Sequence, residues 1–209
     1  MKKLFLTATL AFFLVSCDNK PKSGQADIKD VSSTPTTSGK TQSNEILQEM
    51  QEMMQDMHTK QPTGNNDADF AEMMAEDHEG AIEISEILLR KGTNQELKDF
   101  AKKVVQSQTK EKDLMDRFDD LKEKSPDNAA FQKELQASMA PMMNAKPQVH
   151  NNLDKDYAAQ MIPHHQSAVD MAKVYLKYGK QPELLALSKE IVAAQQKEIT
   201  FLQNWLSRN

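Results

Sequence analysis

The sequence predicts an all-α protein: a four-helix bundle made of two tandemly duplicated helical hairpins, preceded by a Met-rich amphipathic helix. Three observations predict it. Turn-formers are scarce, with Gly 6 and Pro 8 among 209 residues, so long periodic stretches run between few turns. The chain aligns with itself, without a gap, at an offset of 87 residues. DFAEMMAEDHEGAIEISEILLRKGTNQEL from Asp69 matches DYAAQMIPHHQSAVDMAKVYLKYGKQPEL from Asp156, and through Leu114 and Phe201 there are 14 identities in 46 positions. An ungapped match of that length marks duplication of one structural unit. Finally, each copy carries a stripe at alternating three- and four-residue steps, the spacing of a buried helix face.

Residues 1–16 read as a lipoprotein signal peptide. Lys2 and Lys3 precede an apolar run from Leu4 to Val15 that is too short to span a bilayer. Leu14-Val15-Ser16-Cys17 resembles a bacterial lipobox, in which the cysteine is lipidated and becomes the new N-terminus. The expectation is a lipid-anchored, extracytoplasmic protein of the bacterial cell envelope, on its periplasmic or surface face. Loss of Lys2 and Lys3 takes the formal charge from −5 to −7, which opposes nucleic-acid binding. The one cysteine, Cys17, excludes a disulfide scaffold and a cysteine zinc site. Once lipidated it leaves no thiolate, so any metal must be held by His, Met, carboxylate or amide groups.

Residues 17–43 are rich in Ser, Thr, Lys, Pro and Gly and read as a flexible tether. Residues 44–61 form the Met-rich helix: Ile46, Leu47, Met50, Met53, Met54 and Met57 mark one face, with His58 adjacent. This face either docks on the bundle, or on a partner protein, or offers thioethers to Cu(I) or Ag(I). The first hairpin occupies residues 65–122, a connector with a short helix residues 123–152, and the second hairpin residues 153–209. At about 30 residues the connector is long enough either to return locally or to cross the bundle.

Within each hairpin, Asp69 or Asp156 can cap or open the first helix, and Gly92 or Gly179 stands where a left-handed residue would end it. Pro182 suits the first turn of the helix that follows. The second helices carry Leu97, Ala101, Val104, Gln108, Glu111, Met115 and Phe118, and Leu184, Ser188, Ile191, Gln195, Glu198, Leu202 and Trp205. Neither hairpin can bury its stripe alone, so the two pack together. Pro163 inside MIPHH implies a kink or a late helix start.

The polar residues on these stripes carry the functional argument. With the turns near residues 93 and 180, His78 is level with Gln108 and His165 with Gln195, while Met74 and Met161 approach Glu111 and Glu198. Each half thus offers Met and His at i, i+4 and Gln and Glu at i, i+3. Two Met and two His facing one another suit Cu(I) and poorly suit Mg²⁺ or Ca²⁺. Gln108, Glu111, Gln195 and Glu198 would orient the imidazoles or ligate directly. His164 and His165 point about 100° apart and cannot share one face. A lone methionine on a stripe is ordinarily core filler, and repetition of the whole set in both halves is what argues for a site. Met139, Met142, Met143 and His150 form a looser cluster.

Asp156, Met161-Ile162-Pro163-His164-His165, Ala168, Met171-Ala172, Glu183, Ala194-Gln195, Glu198-Ile199 and Trp205-Leu206 resemble the bacterial family called domain of unknown function 305. The resemblance implies a ferritin-like four-helix bundle, secreted or membrane-attached. It also implies a copper role for Met161, His164, His165 and Met171 and, by the repeat, for Met74 and His78. Glu76 and Asp77 replace the Pro-His of the motif in the first half. The expected activity is copper binding or sequestration without turnover. One alternative is an envelope interaction module with structural histidines, binding a protein partner or a second copy. The other is a di-iron oxidase, which needs Glu-x-x-His on two helices; Ala75 and Ile162 stand where those glutamates would be.

Overall fold

The computed structural model describes residues 39–146 and 149–209, which form seven helices and no strand. The expected signal peptide, Cys17 and residues 17–38 of the tether lie outside the described residues. The helices are α1 (Gly39–Thr59), α2 (Asn66–Lys91), α3 (Gln95–Met115), α4 (Asn128–Ser138), α5 (Ala140–Met143), α6 (Leu153–Tyr178) and α7 (Pro182–Arg208). The Met-rich helix, placed at 44–61 from the sequence, begins at Gly39 and ends at Thr59, so its first turn takes up residues assigned to the tether.

Helices α2 and α3 form one hairpin and α6 and α7 the other. Ser85 with Tyr157, Asp77 with His164 and Asp67 with Tyr175 set α2 against α6 in antiparallel register. The ion pairs Arg117–Glu183 and Arg208–Glu96 do the same for α3 and α7, and Phe100 stacks on Phe201 between them at 4.8 Å. Helix α1 lies on α2 and α6, and α4 and α5 lie on α6. The α2–α6 pair is therefore a middle layer, covered on both sides. That explains its burial: 16 of 26 residues of α2 and 15 of 26 of α6, against 6 of 21 in α3 and 8 of 27 in α7. A helix covered on both sides is apolar or paired almost all round.

The connector crosses the bundle. Asn128 bonds Asn66 at the start of α2, Met142 N bonds Ser167 midway along α6, and Thr93 at the opposite end bonds Asp154 at the start of α6. This is the single long crossover of ferritin-like bundles, and it brings Met139, Met142 and Met143 beside the C-terminal half of α1.

The capping residues differ from the expectation. The N-caps are Asn65, which accepts from Asp67 N and Ala68 N, and its repeat equivalent Asn152, which accepts from Lys155 N. Helices α2 and α6 thus start three residues before Asp69 and Asp156. Those aspartates instead fasten the incoming chain: Asp69 accepts from Thr63 N and Oγ1, and Asp156 from His150 N and Nδ1. Asp67 and Asp154, also equivalent, clasp the opposite hairpins. Asp67 accepts from Tyr175 Oη, Lys180 N and Gln181 N; Asp154 accepts from Thr93 N, Thr93 Oγ1 and Asn94 N. Each half holds the other's turn.

Gly92 and Gly179 do end α2 and α6, with φ of −65° and −71° rather than a left-handed conformation. Glycine is needed there for space: a Cβ would overlap Leu88 at one and the Tyr175 ring at the other. Pro182 takes the first turn of α7, and α6 runs unbroken through Pro163 rather than starting late.

Candidate metal site

Two differently composed sets of polar side chains meet at the mid-height of α2 and α6. His78 and His165 lie on the bundle side. His78 Nε2 is 2.8 Å from Glu111 Oε2, and His165 Nε2 is 3.2 Å from Glu198 Oε2. All four are repeat equivalents. The neighbour of each histidine is thus the glutamate and not the level glutamine expected from the turn positions; His78 makes a hydrogen bond to Glu111, whereas His165 and Glu198 are close without one. The reason is geometric. Side chains lean toward the N-terminus of their own helix, so in an antiparallel hairpin His78 and Glu111 lean toward each other while Gln108 leans away. The same lean applies to His165, Glu198 and Gln195.

The two pairs carry different charge, and residues 77 and 164 contribute to it. Burial alone would depress the His78 imidazole, but the carboxylates of Asp77, 3.7 Å from Nδ1, and Glu111 outweigh burial and raise its pKa to about 9. His165, equally buried, is pushed well below its ordinary value by desolvation and by the neighbouring His164 and His78. Glu198 is raised to about 7 by desolvation and by Glu111, against the pull of His78. At neutral pH His78 is a cation and His165 a neutral imidazole, although both stand in equivalent positions.

His164 is on the other face of α6, toward α1. Its Nε2 lies 3.2 Å from the Asp77 carbonyl, 3.6 Å from Asp77 Oδ1 and 3.3 Å from Met53 Sδ of the Met-rich helix. Both hydrogen-bonding neighbours of Nε2 are acceptors, so in the metal-free protein that nitrogen carries the proton. Asp77 and His164 are repeat equivalents facing each other across the pseudo-twofold relation of the two hairpins. The acceptor is the Asp77 backbone carbonyl, while the Asp77 carboxylate adds a negative charge 3.6 Å from the ring without a hydrogen bond. Gly80 allows this approach, because a Cβ there would overlap the Met53 side chain.

Met74, His78, Met161, His164, His165 and Met171 are all fully buried, but they do not gather around one point. The α2–α6 register places Met161 about one turn from the histidine level and Met74 about one turn on the other side. Met171 lies two turns further along α6 than His164. Among the described residues no group of three or more His, Cys, Asp or Glu is arranged to hold a metal ion. Met50, Met53 and Met57 of α1 are buried against the bundle, Met54 is half-buried, and His58 is exposed.

The donor set nonetheless suits a cation. Among the described residues, nine of the eleven buried side-chain atoms without a hydrogen-bond partner belong to this region: both Asp77 carboxylate oxygens, His78 Nδ1, Gln108 Oε1, His164 Nδ1, both His165 nitrogens, and the Gln195 amide. Each such atom costs about 1–3 kcal/mol, so the deficit is local to one level of the bundle. Sequence reasoning missed Asp77 as a member, because it read that residue only as a departure from the motif. It also missed the pairing of Met53 with His164. The signal for Asp77 was its position in the repeat, opposite His164.

The family model described as "Domain of unknown function (DUF305)" matches the chain over residues 19–119 and again over 67–206. No curated protein matches it. Among solved structures, CopM in the Ag-bound form is 30% identical, with 68% of this chain and 95% of that chain covered and a TM-score of 0.52. CopM in the Cu(I)-bound form is 29% identical, with coverage of 68% and 96% and a TM-score of 0.51. A DUF305 fragment from Deinococcus radiodurans shares the fold at 22% identity, with coverage of 69% and 97% and a TM-score of 0.51.

Proposed function

For a chain that belongs to the DUF305 family, we propose binding and sequestration of copper, taken as Cu(I), without turnover, at the bacterial cell envelope. The observation that carries this reading is the 3.3 Å approach of His164 Nε2 to Met53 Sδ. It unites the imidazole of MIPHH with a thioether of the Met-rich helix, both buried. An imidazole and a thioether are neutral, soft-to-intermediate donors, the pair that monovalent copper or silver prefers over Mg²⁺ or Ca²⁺. An ion at Nε2 would take the position of the proton, which passes to Nδ1, the ring nitrogen that has no partner. The solved CopM structures with silver and Cu(I) support the choice of metal.

His78 and His165, with Glu111 and Glu198, would form a neighbouring set of harder donors in the same core. Lipid attachment through Cys17 belongs to the same proposal. Among the described residues no helix is long and apolar enough to cross a membrane.

The test is anaerobic Cu(I) titration of the purified chain against a competing chelator, with Zn²⁺ for comparison. Met53→Leu conserves volume, so the fold should hold within about 1.5 kcal/mol. The expected result is tight Cu(I) binding and weak Zn²⁺ binding, with Met53→Leu and His164→Gln each losing at least about tenfold in Cu(I) affinity. Unchanged Cu(I) affinity in both variants would overturn the assignment of this pair. Absence of competitive Cu(I) binding in the unmodified chain would overturn the copper reading.

A further inference from the structure

Two methionine clusters far apart in sequence come together on the surface. The C-terminal half of α1 faces the end of α4 and α5, and two adjoining cavities of about 230 and 390 Å³ open between them. Met57, His58, Met139 and Met143 line both, and Met54 and Met142 complete the second. Packing accounts for Met57, Met139 and Met142, which are buried. It does not account for Met143, 58% exposed, or for the exposed His58 next to Met54, which is half-buried against the core edge.

The chemistry of the lining is selective. Apart from these residues, the larger cavity is bordered by Gln55 and Thr59 alone, so it offers no carboxylate to a hard divalent cation, while Asp69 and Glu72 line only the smaller cavity. Thioethers and an imidazole are neutral and soft, which fits a monovalent d¹⁰ ion. His58 also stands in the last turn of α1, where the helix dipole favours positive charge.

We propose that this cleft is a second Cu(I) and Ag(I) site, open to solvent, that loads the buried His164–Met53 pair. Met57 and Met53 connect the two. They lie four residues apart on one face of α1, about one turn; Met57 lines the cleft and Met53 touches His164. Transfer is a ligand exchange between neutral donors. The ion remains monovalent throughout; the thioethers exchange without a proton, and at His164 the ring proton passes from Nε2 to the unpartnered Nδ1 as the ion takes Nε2. This inference rests on the soft-metal reading above.

The experiment compares the unmodified chain with Met143→Leu and with the triple variant Met54→Leu, His58→Gln, Met143→Leu, using Ag(I) and anaerobic Cu(I). Ligand-exposed positions are changed and volume is largely kept, and Met143→Leu alone, at an exposed position, leaves the fold intact. Methionine-methyl and imidazole NMR resonances follow the two sites separately. The expected result is that Met54, Met143 and His58 resonances shift on adding Ag(I). The triple variant should then hold one ion fewer per chain and fill the Met53–His164 site more slowly. Wild-type stoichiometry and loading rate in the triple variant, with Met54 and Met143 resonances unmoved in the unmodified chain, would overturn the cleft site while leaving the buried site standing. No response at Met53, His164 or the cleft in the unmodified chain would overturn both.

Discussion

Replacing Asp77 by Asn tests the account of the site's charge asymmetry. The carboxylate lies 3.7 Å from His78 Nδ1, and at an effective dielectric of about 20 such a contact is worth roughly 4 kcal/mol before desolvation is subtracted. Opposite charges this close usually shift a pKa by about 1–3 units. His78 in Asp77→Asn should therefore fall from about 9 by about 1–3 units, with Glu111 sustaining what remains. The backbone carbonyl that accepts from His164 is untouched by the change. The same shift governs stability. A histidine raised from 6.5 to about 9 in the folded state contributes stability that is fully present below pH 6.5 and is lost as pH rises through 9. At about 1.4 kcal/mol per unit, the loss is on the order of 3 kcal/mol. Two assays on the metal-free chain read this: imidazole NMR titration of His78, and urea unfolding at pH 6 and pH 9.5. The unmodified chain should weaken between these pH values and the variant should weaken less. A His78 pKa within about half a unit of the unmodified value would refute the role given to Asp77 and leave Glu111 as the sole support.

Three further outcomes are expected. Asp154→Ala strips the acceptor from Thr93 N, Thr93 Oγ1 and Asn94 N, so denaturant unfolding should show a loss on the order of 3 kcal/mol; a change below about 0.5 kcal/mol, the range of an ordinary surface substitution, would deny the clasp any importance. Asp67→Ala, its equivalent, should cost a similar amount by the same measurement. Gly80→Val forces a side chain into the space of Met53; hydrogen exchange should accelerate along α1 while α3 and α7 keep their protection, and uniform exchange behaviour would show that α1 docking does not depend on this glycine.

Several parts of the fold were legible because they depend on local periodicity. The 87-residue repeat, the two hairpins, Pro182 opening α7 and the opposed faces of His164 and His165 all follow from residues a few positions apart on one helix. The repeat also reaches beyond Asp69 and Asp156. Extended upstream by four residues it includes Asn65/Asn152 and Asp67/Asp154, the caps and clasps that set the helix starts. Turn positions fixed the hairpin level to within one turn, but the lean of side chains selected Glu111 and Glu198 over Gln108 and Gln195.

What composition and spacing determined, then, is the duplicated all-α architecture and the types of donor it places in its core. Tertiary structure alone decided the crossover of the connector, the seating of α1 over Gly80, and the meeting of Met53 with His164 across 111 residues of sequence. It likewise decided which equivalent histidine is charged. Helical periodicity is a property of neighbours along the chain, whereas contacts between layers and the electrostatics of a buried group depend on which surfaces exclude water together. Asp77 and His164 break the repeat in sequence and face one another in space.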